Sequence, residues 1–170
     1  MKTTAQLINQ TSGDVEIYTP GNIIEAARRT LSGTISLDPA SSEEANRRVQ
    51  ALRWYGREAD GLNQPWEAQT LWMNHPFSKA GNKLWIDKLV MSFRQGQVRE
   101  ACCITFASTS EKWFQPLMAF PQCYLSPRTN YLRPDGSVYR GVTKGSVVTY
   151  LGHYVGNFRA AFAGMGTVKV

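Results

Sequence analysis

The sequence predicts a doubly wound α/β fold, and three observations carry that reading. Segments with helical periodicity alternate with short apolar runs that read as strands. The run from Ala101 to Ala107, with Ile104 and Phe106, is apolar enough to be covered on both faces, as the middle strand of a parallel sheet must be. Two polar signatures, at Asp38 and Asn74, follow directly on predicted strands, at the carboxyl ends where sheets of this kind receive their ligands.

Each element has its own justification. Thr19-Pro20 opens the first helix, because proline is tolerated in a first turn, and Ile23, Ile24, Ala27 and Leu31 form its apolar stripe before Gly33 stops it. Thr34 to Asp38 is a short strand that ends in an acid followed by Pro39. Ser41-Ser42-Glu43-Glu44 matches a capping box, and Ala45, Val49 and Leu52 recur at helical spacing behind it. Thr70 to Met73 forms the next strand and runs into Asn74-His75-Pro76-Phe77, after which the glycine and lysines of residues 78–83 predict a mobile loop. A helix with Leu84, Trp85, Leu89 and Phe93 on one side ends near Gly96. Beyond the strand at 101–107, Ser110 caps a short helix holding Trp113 and Phe114. Gln122 to Leu125 and Val147 to Leu151 read as two final strands, with a turn at Pro134-Asp135-Gly136 between them.

The chain has 170 residues, of which 42% are hydrophobic and 19% charged, a size at which one domain, 1–170, buries a full core without disulfide or metal support. No apolar run approaches the roughly 20 residues that span a bilayer, and the N-terminus lacks the layout of a secretion signal. No membrane association and a cytoplasmic location are therefore expected. Cys102, Cys103 and Cys123 are odd in number and lack C-x-x-C spacing, so buried reduced thiols are expected and no metal site. The net charge of +6 is unevenly placed: residues 1–120 carry 13 basic and 12 acidic side chains, residues 121–170 carry 6 basic ones and only Asp135. A basic excess on one segment suits a polyanionic partner, although a merely solvated basic surface has the same composition.

Most of the chemistry sits in Asn74-His75-Pro76-Phe77. A strand-end amide oxygen and the carbonyl before a proline can converge as acceptors on one exocyclic amino group, and Phe77 offers a flat face for stacking. Pro76 biases His75 away from helical dihedrals and keeps its carbonyl extended. An ordinary strand-to-loop turn uses the same residue types, so the tetrapeptide alone leaves both readings open. Asp38 suits the ammonium of S-adenosylmethionine, or is a plain loop acid; Asp60, in Asp60-Gly61-Leu62, can accept from the cofactor's adenine amino group. Trp66 and Trp72 line such a pocket or, more commonly for large aromatics, belong to the core. The lack of a G-x-G-x-x-G pattern argues against a nicotinamide dinucleotide, and neither His75 nor His153 has the partners of a hydrolase triad.

Taken in order, these residues resemble a known family. Tyr18-Thr19-Pro20, Leu37-Asp38-Pro39-Ala40-Ser41-Ser42 with Asn46, Asp60-Gly61-Leu62 with Trp66, the tetrapeptide with Trp85 and Lys88, Trp113-Phe114, and Arg128 leading to Gly145-Ser146-Val147-Val148 are similar to the small phage and prophage Dam-type DNA adenine-N6 methyltransferases. The resemblance runs from about Tyr18 to about Gly152. It implies a Rossmann-like S-adenosylmethionine-dependent methyltransferase fold, with a mixed sheet whose last strand is antiparallel. It further implies that Thr19, Asp38 with Pro39, and Asp60 hold S-adenosyl-L-methionine, that Asn46 reaches its ribose, and that Asn74, His75, Pro76 and Phe77 form the catalytic tetrapeptide. The reaction would be direct methyl transfer to the N6 amino group of an adenine flipped out of double-stranded DNA. The setting would be a bacterial host cell, with a phage or prophage gene serving DNA methylation or restriction-modification.

One position departs from the family pattern, which is N-P-P-Y or N-P-P-F: this chain has His75 in the second place. The carbonyl survives the change and some rigidity is lost. A DNA-binding pseudo-methyltransferase, or an enzyme acting on another exocyclic amine such as cytosine N4, are the alternatives this leaves. Chain length and charge placement assign DNA reading to a segment at about 121–145 and the loop at 78–83. Arg128, Arg133, Arg140 and Lys144 are expected to contact phosphates or base edges, and Lys79 and Lys83 the backbone. So compact a reader predicts a short or weak sequence preference, in a monomer or weak dimer.

Overall fold

Alternation of side chains along three strands divides the molecule into layers. A computed structural model describes residues 16–170. In chain order its elements are helix α1 (Gly21–Thr30), strand β1 (Leu37–Asp38), helix α2 (Glu43–Val49), strand β2 (Arg53–Trp54), a 3-10 turn (Gly61–Asn63) and strand β3 (Ala68–Met73). There follow helix α3 (Gly81–Arg94), strand β4 (Val98–Phe106), a second 3-10 turn (Gln115–Ala119), strands β5 (Gln122–Leu125) and β6 (Ser146–Leu151), helix α4 (Val155–Ala161) and strand β7 (Gly166–Lys169).

All seven strands join one sheet in the order β2-β1-β3-β4-β6-β5-β7. The pairs β1/β2, β1/β3 and β3/β4 are parallel, whereas β6 runs antiparallel to both β4 and β5. The last strand, β7, is antiparallel to β5. Because side chains alternate with a period of two, Trp72, Cys102, Ile104, Val148 and Tyr150 point to one face, where they meet Ile23, Ile24, Ala27 and Leu31 of the α1 segment and Phe158 of α4. Leu71, Met73, Ala101, Cys103, Val147 and Leu151 point to the other and meet Trp85, Ile86, Leu89 and Val90 of α3. The architecture is thus a Rossmann-like mixed α/β sheet with helices on both faces, and β4 is its middle strand, as the apolar run predicts.

Several expectations are corrected. The α2 cap is Ser42, whose Oγ accepts from Ala45 N at 3.1 Å, one residue later than the capping box requires, so Glu44 does not reach position N3 of the helix. The helix then ends at Gln50, in the left-handed region at φ 52°, which turns Leu52 out of the stripe and leaves it 78% exposed. Residues 81–83 are not loop but the first turn of α3, because Ser78 Oγ takes the Gly81 N–H at 2.9 Å. Leu84 lies on the solvent side of α3, where Trp85, Ile86, Leu89 and Val90 form the buried stripe. Trp113 and Phe114 precede a 3-10 turn and are not held in a helix capped by Ser110; Pro116 occupies that turn's start. Finally, β5 and β6 are not the last elements, since α4 and β7 follow them.

The three cysteines are free and buried, and burial pushes the Cys103 thiol up to about 12 and Cys123 to about 11. Among the described residues there is no cluster of side chains that could hold a metal ion, and no helix long and apolar enough to cross a membrane.

Candidate active site

Strand pairing brings the two polar signatures together. Leu37 of β1 pairs in parallel with Leu71 of β3, so Asp38 at the end of one strand and Asn74 just past the other emerge at the same edge of the sheet. Between them opens a cavity of about 730 Å³, inside the range of about 300–1,000 Å³ usual for small-molecule sites. Thr19, Asp38, Pro39, Asp60, Asn74, His75, Pro76 and Phe77 all line it.

Asp38 is only 2% exposed. Burial raises its carboxyl from 3.8 to about 7, against the Ala40 N–H and the Ser41 hydroxyl, which favour the charged form. Among the described residues no cation pairs with it. Asp60 enters the cavity from a tight turn: its own φ is 48°, and the neighbouring Gly61 lies so close to Pro39 that an added Cβ would meet Pro39 O at 1.9 Å. Trp66 and Lys88 brace this turn from behind. Trp66 Nε1 donates to Gly61 O at 2.8 Å, and Lys88 Nζ donates to Leu62 O and Gln64 O at 2.6 Å each. Trp66 accordingly belongs to the core, whereas Trp72 belongs to the core and also reaches the cavity wall.

On the β3 side, Asn74 Nδ2 donates to Ile17 O at 3.3 Å. Committing the amide nitrogen in this way leaves Oδ1 as the acceptor. Phe77 packs its ring against Phe106 at 4.5 Å and Tyr131 at 6.2 Å. His75 is 1% exposed, with Nε2 2.9 Å from Asn82 Oδ1 and its ring near Phe77 and Trp85. Burial lowers its pKa from 6.5 to about 4, so the ring is neutral at pH 7.

The remaining expected residues divide between the rim and the outside. Arg133 lines the cavity and lies over the Tyr139 ring at 5.7 Å; Lys144 lies over Phe106 at 5.9 Å. Arg128, Arg140 and Lys79 are exposed and away from the cavity lining, and Lys83 pairs with Asp87 along α3. Asn46 does not line the cavity: its amide brackets Ala51, accepting from Ala51 N at 2.9 Å and donating to Ala51 O at 3.3 Å. Within 121–145, residues 122–125 are strand β5 and the rest is irregular chain, tied by bridges of Leu132 to Tyr18 and to Val138.

Sequence reasoning missed Arg48, Arg57 and Asn82. Arg48 lines the cavity and lies over the Tyr18 ring at 5.3 Å; Arg57 lines the same wall. The helical spacing of Ala45, Arg48 and Val49 was a signal, because all three line the cavity from one face of α2. Nothing local announces Asn82, whose bond to His75 spans the start of a helix. No family model matches the chain, and no curated protein matches it.

Proposed function

We propose that the protein is an S-adenosylmethionine-dependent methyltransferase acting on the exocyclic N6 amino group of adenine in DNA. The observation that carries this reading is the meeting of Asp38, Asp60 and the Asn74–Phe77 segment around one cavity at the carboxyl edge of the parallel strands. A buried carboxyl with no cation beside it among the described residues fits an ammonium group, and the hydroxyl of Thr19, 3% exposed on the same wall and without a partner among those residues, fits a polar ligand. Asp38, Thr19 and Asp60 would hold the cofactor, with Pro39 packed beside them. Bound there, S-adenosylmethionine would supply an electrophilic methyl group.

The chain's own residues supply orientation. Asn74 Oδ1 and the His75 carbonyl accept the two N–H bonds of the target amine, which directs its lone pair away from them and toward the donor. Phe77 stacks on the base. A stacked duplex base does not reach such a pocket, so the enzyme takes the adenine flipped out or unpaired, which costs least in single-stranded DNA. Arg48, Arg57 and Arg133 at the cavity mouth suit the flanking phosphates.

The test is mass spectrometry of nucleosides after incubation with S-adenosylmethionine and unmethylated DNA, both duplex and single-stranded. N6-methyladenine is the expected product. N4-methylcytosine would move the target to another amine, and DNA binding with no modified base would leave a pseudo-methyltransferase.

A further inference from the structure

Two residues that line the cavity each carry a buried side-chain atom without a hydrogen-bond partner among the described residues: Thr19 Oγ1 and His75 Nδ1. Buried polar atoms are nearly always bonded: Tyr131 Oη meets Ser146 Oγ at 2.9 Å, and Gln122 Nε2 donates to Thr149 Oγ1 at 3.1 Å, whereas Thr129 Oγ1, buried outside the cavity lining, is one further exception among the described residues. An orphan on a residue that lines a cavity is a place where a bound molecule can supply the missing partner.

His75 is held in one state. Asn82 Oδ1 is an acceptor only, so the ring proton sits on Nε2, and the neutral imidazole is left with Nδ1 as an acceptor. Asn82 is itself 9% exposed and fixed in the first turn of α3. Phe77 meets the ring edge-on at 5.4 Å and Trp85 lies 6.3 Å away, so the ring has little freedom to turn.

We propose that His75 is a ligand-reading residue: its Nδ1 accepts a hydrogen bond from an N–H or O–H group of the bound molecule, and Asn82 positions the ring in the tautomer that does so. The inference rests on the methyltransferase reading for the choice of probes. It goes beyond that reading by giving the side chain at position 75, and not only its carbonyl, a part in recognition. The donor belongs either to the cofactor or to the target adenine, and two arms of one experiment separate them.

Protein labelled with ¹⁵N-histidine is titrated with S-adenosylhomocysteine in one arm and with an adenine-containing single-stranded oligonucleotide in the other. His75→Phe keeps the ring shape and the carbonyl and removes the acceptor. Asn82→Asp keeps the side-chain shape and places a carboxylate on Nε2, favouring the imidazolium, in which Nδ1 carries a proton. The free protein is expected to show an unprotonated Nδ1 that moves upfield with one probe. Affinity for that probe is expected to fall at least tenfold in both variants, while the other probe binds as before. Thermal melts check folding, and if His75→Phe does not fold, Asn82→Asp decides. Wild-type affinity for both probes in the folded variants, with an unmoved Nδ1 signal, overturns the inference and leaves the methyltransferase reading standing. Failure of the wild-type protein to bind either probe overturns both.

Discussion

The two ends of strand β3 treat polar groups in opposite ways. At its amino-terminal half, Thr70 is buried and fully bonded: its Oγ1 donates to Thr34 O at 2.6 Å and meets Ser36 N and Ser36 Oγ at 3.0 Å each. Just past its carboxyl end, His75 Nδ1 is buried without a partner among the described residues, and Asp38 on the adjoining strand is buried without a cation among them. Both ends also border open space, since a groove of about 590 Å³ lies against Ser36, Ala68 and Gln97 at the amino-terminal edge. Size therefore does not distinguish them. Unmet polar demand does, because folding alone tends to satisfy buried groups and a ligand site holds some in reserve.

That contrast sets the order of the expected effects. Asn74→Ala removes an acceptor that acts only when the amine is bound, so methyl transfer should fall by about 10²–10³-fold, the scale for losing one positioned polar group. Thermal melting should change little, since among the described residues the side-chain bond that is lost is the one to Ile17 O. A variant that melts far below wild type would instead make Asn74 a structural residue like Thr70.

Asp38→Asn should trade binding for stability. The folded carboxyl titrates at about 7 against 3.8 in the unfolded chain. Between those values the folded protein keeps a proton that the unfolded chain has released. Stability from this group is present below about pH 4 and is lost as the pH rises toward 7. The substitution should therefore raise stability at pH 8, by on the order of a few kcal/mol, and flatten the pH dependence of melting. Affinity for S-adenosylhomocysteine should drop at the same time. Melts at pH 5 and pH 8 with a calorimetric titration check both, and a destabilised variant at pH 8 would contradict the assignment.

Thr70→Val should do the reverse, costing about 1–3 kcal/mol in denaturant titrations through unpaired Thr34 and Ser36 groups while leaving turnover per folded molecule unchanged. The smallest effect is expected at the rim. Arg133→Gln should weaken DNA binding about evenly across sequences and reduce the slope of log K against log salt by about 1; an unchanged slope would remove Arg133 from the phosphate contacts.

How far the sequence carried the reading follows from the same physics. The stripe Ile23, Ile24, Ala27, Leu31 and the apolar run at 101–107 were legible because burial imposes a period or abolishes it. Asp38 and Asn74 were legible because each follows a strand directly. Strand β2 was not, since both of its residues, Arg53 and Trp54, are exposed. Nor was β7, whose residues alternate between half-buried and exposed. Leu52 and Leu84 fit a helical stripe by spacing, but a left-handed Gln50 and the roll of α3 put them in solvent. The Asn82–His75 bond and the place of Arg133 at the cavity depend on how separate elements pack, which no local pattern encodes.

The central claim is that one cavity presents an adenine amine to a methyl donor. It is tested most directly by supplying S-adenosylmethionine labelled in its methyl group together with two single-stranded oligonucleotides. One contains adenine and the other carries purine, which lacks the exocyclic amine, at the same positions. Label is expected in the adenine strand alone, with Asn74→Ala transferring it about 10²–10³-fold more slowly than the wild-type protein. Equal labelling of both strands, or labelling at the wild-type rate after loss of Asn74, would contradict it.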